Sequence, residues 1–221
     1  MTAHTGLLPD EWLVSYAAGA LTEAQALVVA CHAEYHDEMK ERIADAEAVG
    51  GVLLEGVVPA RLSVGALDDA FKAIEALEDE PSSVKPTAPA FTDPRMPAPL
   101  AALLGKGFDE LKWGFMGPGM KKLMLKTYEN GERLWLLRAK GGTEMPFHDH
   151  RGLEFTLVLT GGYKVGDAHY TPGMMEVAGP EDTHHQPIID EGEDCICLAV
   201  TDAPIKLHSF VGRMFQPFIG L

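Results

Sequence analysis

The sequence is poor in positive charge. Lysine and arginine together number 18 against 33 aspartates and glutamates in 221 residues, a net charge of −15. Such a surface repels phosphate backbones and anionic lipid, so no direct nucleic-acid or membrane contact is expected, and it attracts a basic partner. Long apolar runs are missing as well: no segment approaches the ~18 uninterrupted apolar residues that a membrane span requires. Met1 to Pro9 carry no basic cluster followed by an apolar stretch, so no export signal is expected. Cysteine is scarce, three residues and an odd count, which argues against a disulfide framework and for a reduced, cytoplasmic protein.

The acidity is uneven. Residues 1–80 hold 16 acidic and 4 basic side chains, a net of −12, whereas residues 81–221 hold 17 and 14, a net of −3. The acidic third also reads as helical. Pro9 followed by Asp10 and Glu11 starts a short helix carrying Trp12, Leu13 and Tyr16, closed by Gly19. Thr22 and Gln25 form a capping box, after which an alanine-rich helix is predicted to run to about Val49 and stop at Gly50-Gly51. A third segment sets Leu67, Phe71, Ile74 and Leu77 on one stripe, with Asp68, Asp69, Glu75 and Glu78 outside it. That stripe serves either as part of a helical core or as a docking face for a basic groove; periodicity alone does not choose.

Pro81, Pro86, Pro89, Pro94, Pro97 and Pro99 make residues 81–99 a semi-rigid linker. Beyond a short segment at Leu100 to Leu104 the pattern changes to strands, at Lys121 to Tyr128, Arg133 to Arg138, Glu154 to Thr160, Met174 to Val177 and Asp194 to Thr201. Glycine-rich turns such as Asn130-Gly131 and Gly161-Gly162 separate them, as an antiparallel barrel or sandwich requires.

One stretch concentrates metal-ligand chemistry: Gly142-Thr-Glu-Met-Pro-Phe-His148-Asp-His150-Arg-Gly-Leu-Glu154-Phe-Thr-Leu-Val-Leu-Thr-Gly161. His-x-His puts two imidazoles on one side of an extended strand. Glu154 follows the Arg151-Gly152 turn and opens the apolar run Phe155 to Leu159. The His184-His185 pair, after Gly179-Pro180, offers a fourth donor, and three imidazoles with a carboxylate suit Zn, Fe, Mn or Ni. His169 and Glu176 are further titratable groups near the interior, with an exposed turn position expected for His169. Cys195 and Cys197 share one face of a strand, and small buried core residues are the preferred reading over redox-active thiols.

The spacing G-x5-H-x-H-x3-E-x6-G resembles the first part of the cupin signature, and implies a small β-barrel (double-stranded β-helix) with a metal inside. In the second part of that signature the histidine comes five residues after a proline, which from Pro180 selects His185. Leu13-Val-Ser-Tyr-Ala-Ala-Gly-Ala-Leu-Thr-Glu-Ala, Leu27-Val-Val-Ala-Cys-His32, the proline-rich linker and Asp194-Cys-Ile-Cys-Leu-Ala-Val-Thr-Asp-Ala-Pro204 together look like the ChrR-type anti-sigma factors, over essentially the whole chain. The resemblance implies an α + β two-domain protein: an acidic helical anti-sigma domain over 1–80, the linker over 81–99 and a cupin β-barrel over 100–221. It implies sequestration of an extracytoplasmic-function sigma factor by the helices, and release when the cupin senses an oxidative signal such as singlet oxygen. Zinc held by His148, His150, Glu154 and His185 is implied too, and the barrel offers a surface for homo-oligomers.

The chain departs from that family in one motif. The family's N-terminal zinc run H-x3-C-x2-C corresponds here to His32-Ala-Glu-Tyr-His36-Asp-Glu-Met39, with His4 as the earlier histidine. An imidazole and a thioether stand where the family has thiolates, and a thioether is a poor zinc ligand. His32 and His36 are expected at i and i+4 of one helical face, with packing rather than zinc holding the helices together; the alternative is a site that keeps zinc through His4, His32 and His36. The alternative to a regulator is a metal-dependent cupin enzyme such as a dioxygenase, whose acidic helices serve only assembly.

Overall fold

The computed structural model describes residues 6–78, 93–183 and 185–207; His4, most of the proline-rich stretch, His184 and the final residues lie outside the described part. Five helices come first in the chain. Helix α1 (Asp10–Ala17) starts after Pro9 with two carboxylates in its first turn, where the helix dipole favours them. Helix α2 (Glu23–Ala33) is opened by the capping box, Thr22 Oγ1 accepting from the Gln25 amide and the Gln25 side chain accepting from the Thr22 amide, each at 3.2 Å. Helices α3 (Asp37–Glu55), α4 (Ala66–Glu78) and α5 (Ala98–Leu104) follow.

The single helix predicted from Thr22 to Val49 is two. His36 adopts an extended conformation (φ −138°, ψ 104°) between α2 and α3. Its ring is bonded to the Gly173 carbonyl, in a distant turn of the β part, and that tertiary contact, absent from the local sequence, interrupts the helix. In the other direction α3 continues through Gly50-Gly51 to Glu55. A mid-helix glycine costs about 1 kcal/mol, too little to stop a helix already propagating.

The β part contains β1 (Gly114–Gly117), β2 (Met120–Thr127), β3 (Arg133–Ala139), β4 (His148–Asp149), β5 (Glu154–Thr160) and β6 (Tyr163–Val165). It continues with β7 (Ala168–Tyr170), β8 (Met175–Ala178), β9 (Ile188–Ile189), β10 (Cys195–Thr201) and β11 (Lys206–Leu207). Six of these form one sheet in the order β1-β2-β3-β10-β5-β8, every pair antiparallel; β7-β6-β9 and β11-β4 form smaller sheets. All seven residues of β10 are buried, as a central strand covered on both faces requires.

The period-2 alternation of the large sheet divides the apolar residues into two cores. Ile196, Leu198 and Val200, with Leu134, Leu136, Phe155 and Leu157, face outward onto Leu8, Leu13, Val28, Met39 and Leu100 of the helical part. Cys195, Cys197 and Ala199, with Trp135, Leu137 and Val158, face the barrel interior. The first core is therefore shared: α1 and α2 do not close on themselves but lie on the sheet, with Trp12 edge-on to Phe155 at 4.7 Å between ring centroids. Each fully buried Leu, Val or Phe in it contributes about 1.5–3 kcal/mol. Polar contacts reinforce the seam, from Thr22 Oγ1 to Glu132 Oε1 (2.9 Å) and from Lys126 Nζ to Glu23 (2.6 Å).

The second half of α3 and all of α4 lie off this core. Val52, Leu53 and Leu54 are each 70% exposed or more, and the α4 stripe Leu67, Phe71, Ile74 and Leu77 is more than half exposed throughout. The α4 stripe is thus no part of a helical core.

Candidate metal centre

His148 and His185 come from segments far apart in sequence, joined by a β-bridge. The His148 amide donates to the His185 carbonyl (3.1 Å) and the His185 amide to that of His148 (3.0 Å). A directly opposed pair brings its side chains onto one face. His150, two residues on, shares that face, and the three ring centroids lie 4.8–5.0 Å apart. The ligand-type nitrogens of the three rings all fall within 4.8 Å of one another, and all three residues are buried. His184, the neighbour that competed with His185 in the sequence, lies outside the described residues.

The histidines stand in a line of polar contacts. His148 Nδ1 lies 2.9 Å from the Pro146 carbonyl, which leaves Nε2 free for the interior. His150 Nε2 and His185 Nδ1 are 2.6 Å apart. On one side of this pair, His150 Nδ1 lies 3.8 Å from Glu154 Oε2, and the Thr156 hydroxyl donates to Glu154 Oε1 at 3.1 Å. On the other, His185 Nε2 lies 3.3 Å from Glu176 Oε1 but out of line for a hydrogen bond, and Tyr163 donates its hydroxyl to Glu176 Oε2 at 2.6 Å. Glu154 therefore borders the histidine group without joining it. Glu176 and Tyr163 complete the line, and the sequence singled out only Glu176, as one more group near the interior. A charged residue flanked by Met175 and Val177 in an otherwise apolar strand was the available signal.

Burial governs the electrostatics. It pushes His148 down to about 4, against the pull of the Pro146 carbonyl, and lowers His150 as well. His185 is also penalised by burial, but Glu176, Glu154 and Asp182 outweigh this and raise it. Glu154 is pushed up to about 7 by burial, opposed by the Thr156 hydroxyl and reinforced by the charge of Glu176. Unpaired charges in such a site are costly, and a divalent cation between neutral imidazoles and carboxylates relieves that cost. The donor set, the burial and the orphaned His185 nitrogen fit a metal ion.

The group opens onto a cavity of about 40 Å³ whose walls include Trp135, Leu137, Ile189 and Cys197. That volume holds an ion and a few waters and falls well below the ~300–1,000 Å³ of typical small-molecule sites. His169 is exposed and bonded to Asp190 (2.6 Å), away from the centre.

The N-terminal histidines are arranged differently. His32 and His36 do not share a helical face, because the chain turns between α2 and α3; their rings meet edge to face at 5.0 Å. His36 Nε2 is bonded to the Gly173 carbonyl (2.7 Å), and Met39 is fully buried. Both ring nitrogens of His32 are buried without a well-aligned partner, the Gly6 and Gly173 carbonyls being the nearest acceptors. Among the described residues this corner offers two imidazoles and a thioether, and a thioether is a poor zinc ligand.

Comparison with known proteins places these features together. The family model of the ChrR cupin-like domain matches residues 105–204. The anti-sigma-E factor ChrR of Cereibacter sphaeroides is 40% identical over 213 residues, covering 96% of both chains. The crystal structure of Rhodobacter sphaeroides SigE in complex with the anti-sigma ChrR matches with a TM-score of 0.73 at 37% identity, over 88% of this chain and 97% of that one.

Proposed function

The chain belongs to the ChrR family of anti-sigma factors, and we propose that it sequesters an extracytoplasmic-function sigma factor and releases it when its cupin domain senses an oxidative signal such as singlet oxygen. The observation that carries the first half is the apolar surface of α3 and α4. Leu54 is 73% exposed and Phe71 55% exposed, and neither belongs to a packed core among the described residues. Contiguous solvated apolar stripes mark surfaces that a partner covers, and the net −12 of residues 1–80 steers a basic partner toward them. The working division is a helical sigma-binding unit over 1–80, a linker over 81–99 and a cupin domain over 100–221, in a cytoplasmic protein with the barrel available for self-association.

The second half rests on the cupin centre. In this proposal His148, His150, Glu154 and His185 hold a divalent ion, zinc first and iron, manganese or nickel by the same donors, and the ion sets the spacing of the strands that carry them. Strand β8 is the route outward. Glu176 on β8 faces the centre, while the adjoining Gly173 and Met175 hold the helical part through His36 and through the Gly6 carbonyl (2.8 Å). A change at the centre then biases how the α2–α3 corner is held, which is the differential contact that a sensor needs. The cavity volume favours this reading over a cupin dioxygenase, since an organic substrate has no room beside the ion.

Titration calorimetry of the full chain against a purified basic sigma factor of this class tests the proposal. A one-to-one complex that weakens steeply with salt is expected. Absence of a complex at low salt would overturn it.

A further inference from the structure

We infer that Glu176, held in place by Tyr163, is a second carboxylate ligand of the cupin centre; the inference rests on the metal reading above and adds a residue to it. Strands β5 and β8 pair with Glu176 opposite Thr156, two residues from Glu154, so both glutamates enter the same cavity from adjacent strands. Their surroundings then separate them. Glu154 Oε1 is taken by the Thr156 hydroxyl, and Oε2 faces Nδ1 of His150, whose Nε2 points the other way toward His185. Glu176 Oε1 instead faces Nε2 of His185 at 3.3 Å, and that nitrogen has no aligned hydrogen bond.

A separation of that size has a coordination meaning. Two donors about 2.0–2.1 Å from one five-coordinate ion, at ligand–metal–ligand angles of roughly 90–120°, stand about 2.9–3.6 Å apart. The pair is spaced as neighbouring ligands are, and lacks the alignment of a hydrogen bond. The far side of Glu176 is also built for the role. Tyr163 is 3% exposed, stacks on Tyr170 at 5.1 Å between centroids, and donates to Glu176 Oε2 at 2.6 Å. A buried donor behind a ligating carboxylate fixes its orientation. Charge points the same way. Three neutral imidazoles and one carboxylate leave a divalent ion with excess positive charge among Trp135, Leu137 and Ile189, and a second carboxylate removes it.

The test uses the full chain, titrated with Zn²⁺ and, for its spectrum, Co²⁺. Glu176→Gln keeps the shape and removes the charge. It is expected to weaken Zn²⁺ binding by about 10–100-fold and to change the position and intensity of the Co²⁺ visible bands. Tyr163→Phe is expected to weaken binding by about tenfold and leave the band pattern in place, since the ligand stays and only its support goes. Should Glu176→Gln not fold, Glu176→Asp keeps the carboxylate one methylene short, and a shifted Co²⁺ spectrum is expected from it. Wild-type affinity and wild-type bands in the Gln or Asp variant would overturn the inference. Unchanged binding in His148→Ala would overturn it together with the centre itself. Sigma-factor binding, measured separately, fails only if the regulatory reading fails.

Discussion

The His36 ring and the Gly173 carbonyl are bonded at 2.7 Å across 137 residues of sequence. His36 sits at the corner between α2 and α3, and Gly173 in the turn leading into β8. Gly173 has φ +87°, and a Cβ there would stand 2.9 Å from the Tyr35 side chain. The same corner receives the Gly6 carbonyl on the Met175 amide. At this junction hydrogen bonds and packing on the barrel hold the helices.

Gly173→Ala should therefore loosen the helical part from the barrel. A non-glycine residue at positive φ costs about 1–3 kcal/mol, and the approach to Tyr35 adds to it. The thermal unfolding midpoint of the full chain reports the loss, and an unchanged midpoint would show the junction to be unimportant.

Acid should weaken the same junction. Burial pushes His32 down to about 4, the nearby His36 adding to the effect. The unfolded chain takes up this proton near pH ~6.5, so the unfolded state binds more protons in between. The contribution of His32 is complete above that value and is lost as pH falls toward 4, on the order of 3 kcal/mol in all. Denaturant melts at pH 7 and pH 5 should differ less in His32→Leu than in the parent chain; equal differences would refute the assignment.

Partner binding should depend on the exposed stripes and not on the stability of the fold. Phe71→Asp and Leu54→Asp place charge on surfaces that are already solvated, so melting should change by no more than about 0.5 kcal/mol. Affinity for the sigma factor should fall at least tenfold. Loss of folding with retained binding would reverse the roles given to these helices.

All three thiols should be silent in the native protein. Cys31 is pushed up to about 12 by burial, and Cys197 is raised by its contact with Cys195 and by burial. Both Cys195 and Cys197 are fully or almost fully enclosed in the barrel core. A disulfide-exchange reagent at pH 8 should label none of them until denaturant is added, because reaction needs an accessible thiolate.

Much of the fold is legible in the sequence. Local rules suffice for α1, for the capping box of α2 and for the strands β2, β3, β5 and β10, because propensity, caps and turn glycines act over a few residues. The His-x-His spacing likewise places two imidazoles on one face whatever surrounds them, and the pairing of His148 with His185 agrees with the count from Pro180. The α2–α3 break, by contrast, depends on Gly173, a residue on another element. Which face of Cys195 to Thr201 meets the helices and which meets the cavity was hidden as well, since a strand buried on both sides shows no alternation in hydrophobicity. The place of Glu176 beside His185 was decided in the same way, by the β5–β8 register and by a tyrosine from β6. Sequence alone determined most of the long elements and the candidate donor types, because those follow from short-range geometry. Only the tertiary structure decided that the helices share one core with the barrel and that a second carboxylate faces the centre, because both arise from contacts between residues far apart along the chain.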